Sequence, residues 1–147
     1  MLTVASGIVR FDLPTPDDET QPFWDGCREG RFLLKRCADC GRASFYPRPF
    51  CPHCWSERVD WEAASGKATL YTYSIVRVND LPPWPERVPY VAAVVDLDEG
   101  PRAMSNIVGC EFADVRIGMP LEVVFTDIGD DVTIPQFRPA GAMPATA

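Results

Sequence analysis

The sequence predicts a mainly β protein: a short N-terminal helix, a small cysteine-held ribbon, and then a five-stranded OB-fold barrel. Three observations lead there. Fifteen prolines and ten glycines among 147 residues interrupt long helices, while abundant valine and aromatic residues favour short strands joined by turns. Two Cys-x2-Cys pairs lie ten residues apart, the spacing of two facing knuckles. Beyond Trp61 come five strand-like segments, with a short helical candidate after the third, which is the layout of an OB-fold.

Residues 1–19 carry Pro14, Pro16 and the acidic run Asp17-Asp18-Glu19 without a helical or strand period, so a flexible lead-in or linker is expected. Residues 20–35 hold the helix and a first strand. Thr20 offers a capping hydroxyl, Pro22 suits the first turn, and Phe23, Trp24 and Cys27 share one side of a two-turn helix that Gly30 can end. So short a helix must pack on something, either the ribbon or a partner protein. Phe32-Leu33-Leu34 then feeds a strand into Cys37, and Phe45-Tyr46-Pro47 returns toward Cys51 across the ribbon, residues 36–60.

The barrel is expected over residues 61–139, with strands at 67–78, 90–97, 102–108, 121–126 and 131–137, and a tail at 140–147. The helical candidate is Cys110 to Val115. Four prolines and Trp84 in the loop from Asn79 through Pro89 predict a stiff projecting arm. No apolar run approaches the ~20 residues that span a bilayer, and the first six residues have neither a basic flank nor a sustained apolar run. A soluble cytoplasmic protein that does not use a membrane is expected.

The formal charge is -7, yet residues 28–58 carry seven basic side chains against three acidic ones, which leaves -11 on the remainder. The basic segment is also the one that holds the four paired cysteines. Cys37, Cys40, Cys51 and Cys54 can place four thiolates in the tetrahedral shell that Zn2+ accepts at ~2.3 Å per bond. Gly41 suits its knuckle; Trp55 stands in the matching place after Cys54. A redox pair needs a βαβ setting that is missing, and disulfides are disfavoured in a cytosolic chain. A rubredoxin-type iron centre uses the same geometry. A structural zinc is the preferred reading, because four thiolates leave no open position for substrate. His53 reads as a solvent-facing spacer, and Cys27 and Cys110 as small buried apolar residues.

With one histidine in the chain, inside a knuckle, there is no Ser-His-Asp or Cys-His set with free members. Asp96 with Asp98 and Asp130 with Asp131 sit beside turn glycines and read as solvated hairpin ends. No catalytic residue is expected. The chain looks built to bind, through Phe23, Trp24, Arg48 and Trp84 as partner-facing side chains. The alternative is a single-stranded nucleic-acid binder using Tyr71 and Tyr73 as stacking platforms. Against it, residues 60–138 carry thirteen acidic and six basic side chains, so no nucleic-acid partner is expected.

Phe23-Trp24-Asp25, the segment Arg36 to Gly41, the segment Pro47 to Cys54, Pro89-Tyr90 and Arg116-Ile117-Gly118-Met119-Pro120 together resemble a known family. Its members combine an N-terminal helix, a rubredoxin-like zinc ribbon and an OB-fold, and they accompany acyl-CoA thiolases. The resemblance covers roughly residues 20–139. It implies a non-catalytic accessory subunit, or a domain fused to a MaoC-like enoyl-CoA hydratase, that binds a thiolase-fold enzyme in a hetero-oligomer and meets coenzyme A thioesters indirectly. In steroid-degrading actinobacteria, relatives support side-chain removal by a thiolase-like aldolase. The family pattern has glycine where this chain has Trp55, and it supplies zinc ligands but no catalytic residue.

Overall fold

The computed structural model describes residues 4–5 and 8–141. The end of the expected tail, residues 142–147, lies outside the described residues, as do residues 1–3 and 6–7 of the lead-in. A minimal hairpin pairs β1 (Val4–Ala5) with β2 (Ile8–Val9). Helix α1 (Gln21–Arg28) follows, with proline in its first turn and Gly30 beyond its end at φ 77°. The expected Thr20 cap does not form. The Thr20 hydroxyl instead accepts the Asp17 N–H at 3.1 Å, while the Asp17 carbonyl takes the Gln21 N–H at 2.8 Å, so Asp17 organises the helix start.

The ribbon is a three-stranded sheet in which β3 (Leu33–Cys37) lies between β4 (Ala43–Ser44) and β5 (Val59–Ala63). The return strand therefore ends before Phe45-Tyr46-Pro47, and the Phe45 and Tyr46 rings pack on Phe23 of the helix instead. At the junction with the barrel, Gly66 has φ 81°, and a Cβ there would lie 2.6 Å from Val123. Only glycine lets the chain turn so close to that strand.

The barrel consists of β6 (Lys67–Val76), β7 (Tyr90–Leu97), β8 (Arg102–Ile107), β9 (Pro120–Asp127) and β10 (Thr133–Pro139). It closes in the order β10-β8-β7-β6-β9, all neighbours antiparallel except β8 with β10. This is the OB-fold arrangement expected from the sequence. The helical candidate after β8 shrinks to one 3-10 turn, Phe112–Asp114. Alternation sets the inside: along β7, Val91, Ala93, Val95 and Leu97 are buried and their neighbours less so.

The parallel seam is short. One registered pair, Phe137 with Ile107, is extended by the Val108 N–H to the Phe137 carbonyl at 2.8 Å. Side chains seal the rest: the Ser105 hydroxyl donates to the Pro135 carbonyl at 2.9 Å, and the Gln136 amide donates to Asn106 Oδ1 at 3.2 Å.

Helix, ribbon and barrel share a single core. Phe23 sits edge-on to Phe32 at 5.8 Å between ring centres and against Phe45 at 5.5 Å, and Phe32 in turn meets Phe137 of β10 at 6.2 Å. Phe23 is 1% exposed, so it is a core residue and not the partner-facing side chain that the sequence suggested. The short helix solves its packing problem within the chain. Phe23→Ala is expected to cost about 3–5 kcal/mol, read as a lower urea midpoint, because it empties the joint between all three parts.

Candidate metal centre and docking surface

Each cysteine pair is carried on a tight knuckle that follows or precedes a ribbon strand. Gly41 N–H reaches the Cys37 carbonyl at 3.0 Å, and Trp55 N–H reaches the Cys51 carbonyl at 2.9 Å. These turns bring the four Sγ atoms within 4.8 Å of one another. Across the knuckles, Cys37 meets Cys54 and Cys40 meets Cys51, both at 3.6 Å. A tetrahedron with ~2.3 Å metal–sulfur bonds has sulfur–sulfur edges of about 3.8 Å, so the donor set has the size and chemistry of a closed zinc site.

Backbone amides prepare the sulfurs for negative charge. Cys40 N–H points at Cys37 Sγ at 3.5 Å, and His53 N–H at Cys51 Sγ at 3.4 Å. The Cys40 N–H leads in holding the Cys37 thiol down to about 6. The Ser56 N–H acts the same way on Cys54, but desolvation and the neighbouring thiols outweigh it and push Cys54 up to about 12. Crowded thiols cannot all ionise alone; a divalent cation removes that conflict. Asp39 braces the two knuckles by accepting from the Ser56 hydroxyl and from Arg58 at 2.6 Å.

His53 is exposed, and the cluster consists of the four cysteines alone. Cys27 is buried in the core, which pushes its thiol up to about 12, and half-buried Cys110 is raised by burial and by Asp114 and Glu111. Neither joins the metal cluster. Trp55 has φ 66°, a left-handed conformation that costs a bulky residue about 1–2 kcal/mol.

The remaining sequence-predicted surface residues lie apart from the cluster's sulfurs. Trp24 is half-buried and walls a groove of about 490 Å³ with Tyr46, Ile134, Pro135 and Met104, the last 83% exposed. Arg48 is exposed and has no carboxylate within 4 Å among the described residues. Tyr71, a candidate stacking platform, is covered on one face by the Arg102 guanidinium at 3.6 Å from the ring centre.

The arm does not project. Trp84 folds back onto Tyr90 at 5.2 Å, and the Phe11 N–H donates to the Pro82 carbonyl at 2.9 Å. Asp12, whose side chain is 2% exposed, binds Arg10 at 2.8 Å and Arg87 of the arm at 3.0 Å, while Arg10 reaches Asp130 and the Ile128 carbonyl. The lead-in is thus tied down over Arg10 to Asp12 and clamps the arm to the β9–β10 turn. Sequence reasoning missed this clamp because its partners lie 75 and 120 residues apart.

A four-cysteine ribbon joined through an aromatic core to a closed five-stranded barrel defines a zinc-ribbon and OB-fold protein. Family models agree: residues 24–60 match the rubredoxin-like zinc ribbon domain of ChsH2, and residues 61–126 match the ChsH2 C-terminal OB-fold domain. A DUF35 domain-containing scaffold protein of Methanocaldococcus jannaschii is 41% identical over 111 residues, covering 74% of this chain and 77% of that protein. The chain belongs to the DUF35 family, of the ChsH2 type. A probable enoyl-CoA hydratase alpha subunit of Thermomonospora curvata is 38% identical over 120 residues, covering 80% of this chain but 37% of that longer protein. Among solved structures, a chain of the Ltp2-ChsH2(DUF35) aldolase superposes with a TM-score of 0.78 at 32% identity, covering 87% of this chain and 99% of its own length.

The clamp generates a prediction with a definite sign. Burial pulls the Asp12 carboxyl up, but the hydrogen bonds and charge of Arg10, with the Arg87 bond, prevail and hold it below its ordinary value of 3.8. A carboxylate depressed on folding stabilises the fold above its unfolded pKa, and that contribution is lost as pH falls through the folded value. The clamp is therefore expected to hold at neutral pH and to weaken only below pH 3.8. Asp12→Asn should cost about 2 kcal/mol at neutral pH and make the arm around Trp84 open to limited proteolysis.

Proposed function

We propose that this chain is a non-catalytic accessory subunit, or the accessory part of a longer polypeptide, that binds and supports a thiolase-fold enzyme acting on acyl-CoA. A thiolase or a steroid side-chain aldolase fits that description, with or without a MaoC-like hydratase beside it. The observation that carries the reading is the likeness, along almost its entire length, to the ChsH2(DUF35) chain of an aldolase. The scaffold and hydratase-subunit names of other relatives support it. So does the chemistry within the chain. Its one histidine sits inside the second knuckle, between two cysteines read as metal ligands, where it is a spacer and not the base of a nucleophilic set.

In this reading Cys37, Cys40, Cys51 and Cys54 hold a structural zinc, which supplies a cross-link and no open coordination position. Trp24 with its groove, Arg48 and Trp84 face the partner, and coenzyme A is met through the enzyme that the chain supports. No membrane contact is part of this role; among the described residues no helix is long and apolar enough to cross one.

Co-expression with a thiolase-fold protein from the same genome should give a stable complex on size-exclusion chromatography, with one zinc per copy of this chain. Cys54→Ser should abolish stoichiometric zinc, measured by elemental analysis, and with it the complex. Turnover of a thioester by this chain purified alone, or a serine variant that keeps both metal and complex, would overturn the proposal.

A further inference from the structure

The two knuckles share one backbone turn but close it with very different residues. Gly41 and Trp55 each follow the second cysteine of a pair, each donates its N–H to the carbonyl four residues back, and each is left-handed, at φ 76° and 66°. Glycine adopts that conformation without strain and tryptophan does not. Space does not force glycine on the first knuckle either: at Gly41 a Cβ would meet nothing within 4 Å. The Trp55 indole makes one aromatic contact, a near-parallel stack on Phe50 at 5.3 Å and 15°. It is nevertheless 74% exposed, more than any other described aromatic side chain. A strained backbone that holds a large apolar plane in water contributes little to this fold, and an outlier of that kind points to use by something outside it.

The surroundings indicate what. Trp55 lies in the segment with a local charge of +4. Arg42, Arg48 and His53 of that segment are exposed, and among the described residues neither Arg42 nor Arg48 has a carboxylate within 4 Å. An exposed aromatic anchor whose stacking partner, Phe50, lies two residues from an unpaired arginine, in a segment of net positive charge, is the kind of arrangement that dominates protein interfaces and selects a partner of opposite charge.

We propose that Trp55, backed by Phe50, is a docking anchor at the ribbon tip that seats in an apolar hollow rimmed by carboxylates on the thiolase-fold subunit. This rests on the accessory role proposed above and adds to it a contact point on the ribbon. The anchor is separable from the metal site because the knuckle accepts glycine at this position, as its twin shows.

The test uses the full chain and the thiolase-fold protein with which it is co-expressed. Trp55→Gly should keep one zinc and an unchanged or higher unfolding midpoint, yet weaken the complex at least tenfold in titration calorimetry. Trp55→Phe should recover part of that loss, and Arg48→Glu should weaken the complex and flatten its salt dependence. If the unaltered chain binds no thiolase-fold protein, the accessory role fails and this inference with it. If it binds and Trp55→Gly binds equally well, the anchor alone is overturned. Loss of zinc in Trp55→Gly would also overturn it, by showing that the tryptophan serves the knuckle itself.

Discussion

The aromatic joint of Phe23, Phe32, Phe45 and Phe137 is the contact on which the rest of this structure depends. Each part alone is under-supported. An eight-residue helix does not persist in water, and a ribbon of this size buries too little apolar surface to fold unaided. The barrel has its own interior, but Phe137 at its wall is fully buried, with Phe32 at the base of the ribbon against its ring and helix α1 packed on its strand. Burying one continuous core across all three parts makes the relative placement of ribbon and barrel a property of the fold, not of a hinge.

The sulfur cluster acts at the far end of the same ribbon. The aromatic joint fixes the base of the sheet next to the barrel, and the thiols fix the tip, from Cys37 at the last paired position of β3 outward. Between these two points the ribbon behaves as a short stiff beam. Asp39, bonded to both Ser56 and Arg58, adds a polar brace close to the cysteines. A surface presented on such a beam is pre-ordered, so a partner that docks there loses little conformational entropy in doing so.

Much of this was legible from the residues because it is locally encoded. The apolar run Tyr90 to Leu97 marks β7 with the boundaries observed, and the cysteine spacing announces the knuckles. The misreadings have a common cause. Thr20 looks like a cap until Asp17, three residues earlier, takes over the helix start; the arm around Trp84 looks as if it projects until Trp84 packs on Tyr90 and the lead-in holds Arg87; Phe23 looks available until Phe32 and Phe45 close around it. Each outcome was decided by contacts with other segments, and a pattern read along the chain carries no information about them. The exposed indole is the reverse case. The departure from glycine at Trp55 is visible in the sequence, but its meaning needs the backbone angle and the exposure.

The barrel's parallel seam has one further consequence. Pro135 and Pro139 in β10 have no amide hydrogen to offer, so the join to β8 relies on hydroxyl and carboxamide groups where a regular sheet would use rungs of main chain. If thermal fluctuation parts the two strands there, the bared edge presents gaps at alternate positions. A stray strand from another molecule would find an incomplete template, and runaway sheet growth, the common hazard of small all-β proteins, is discouraged at the line where this one is thinnest.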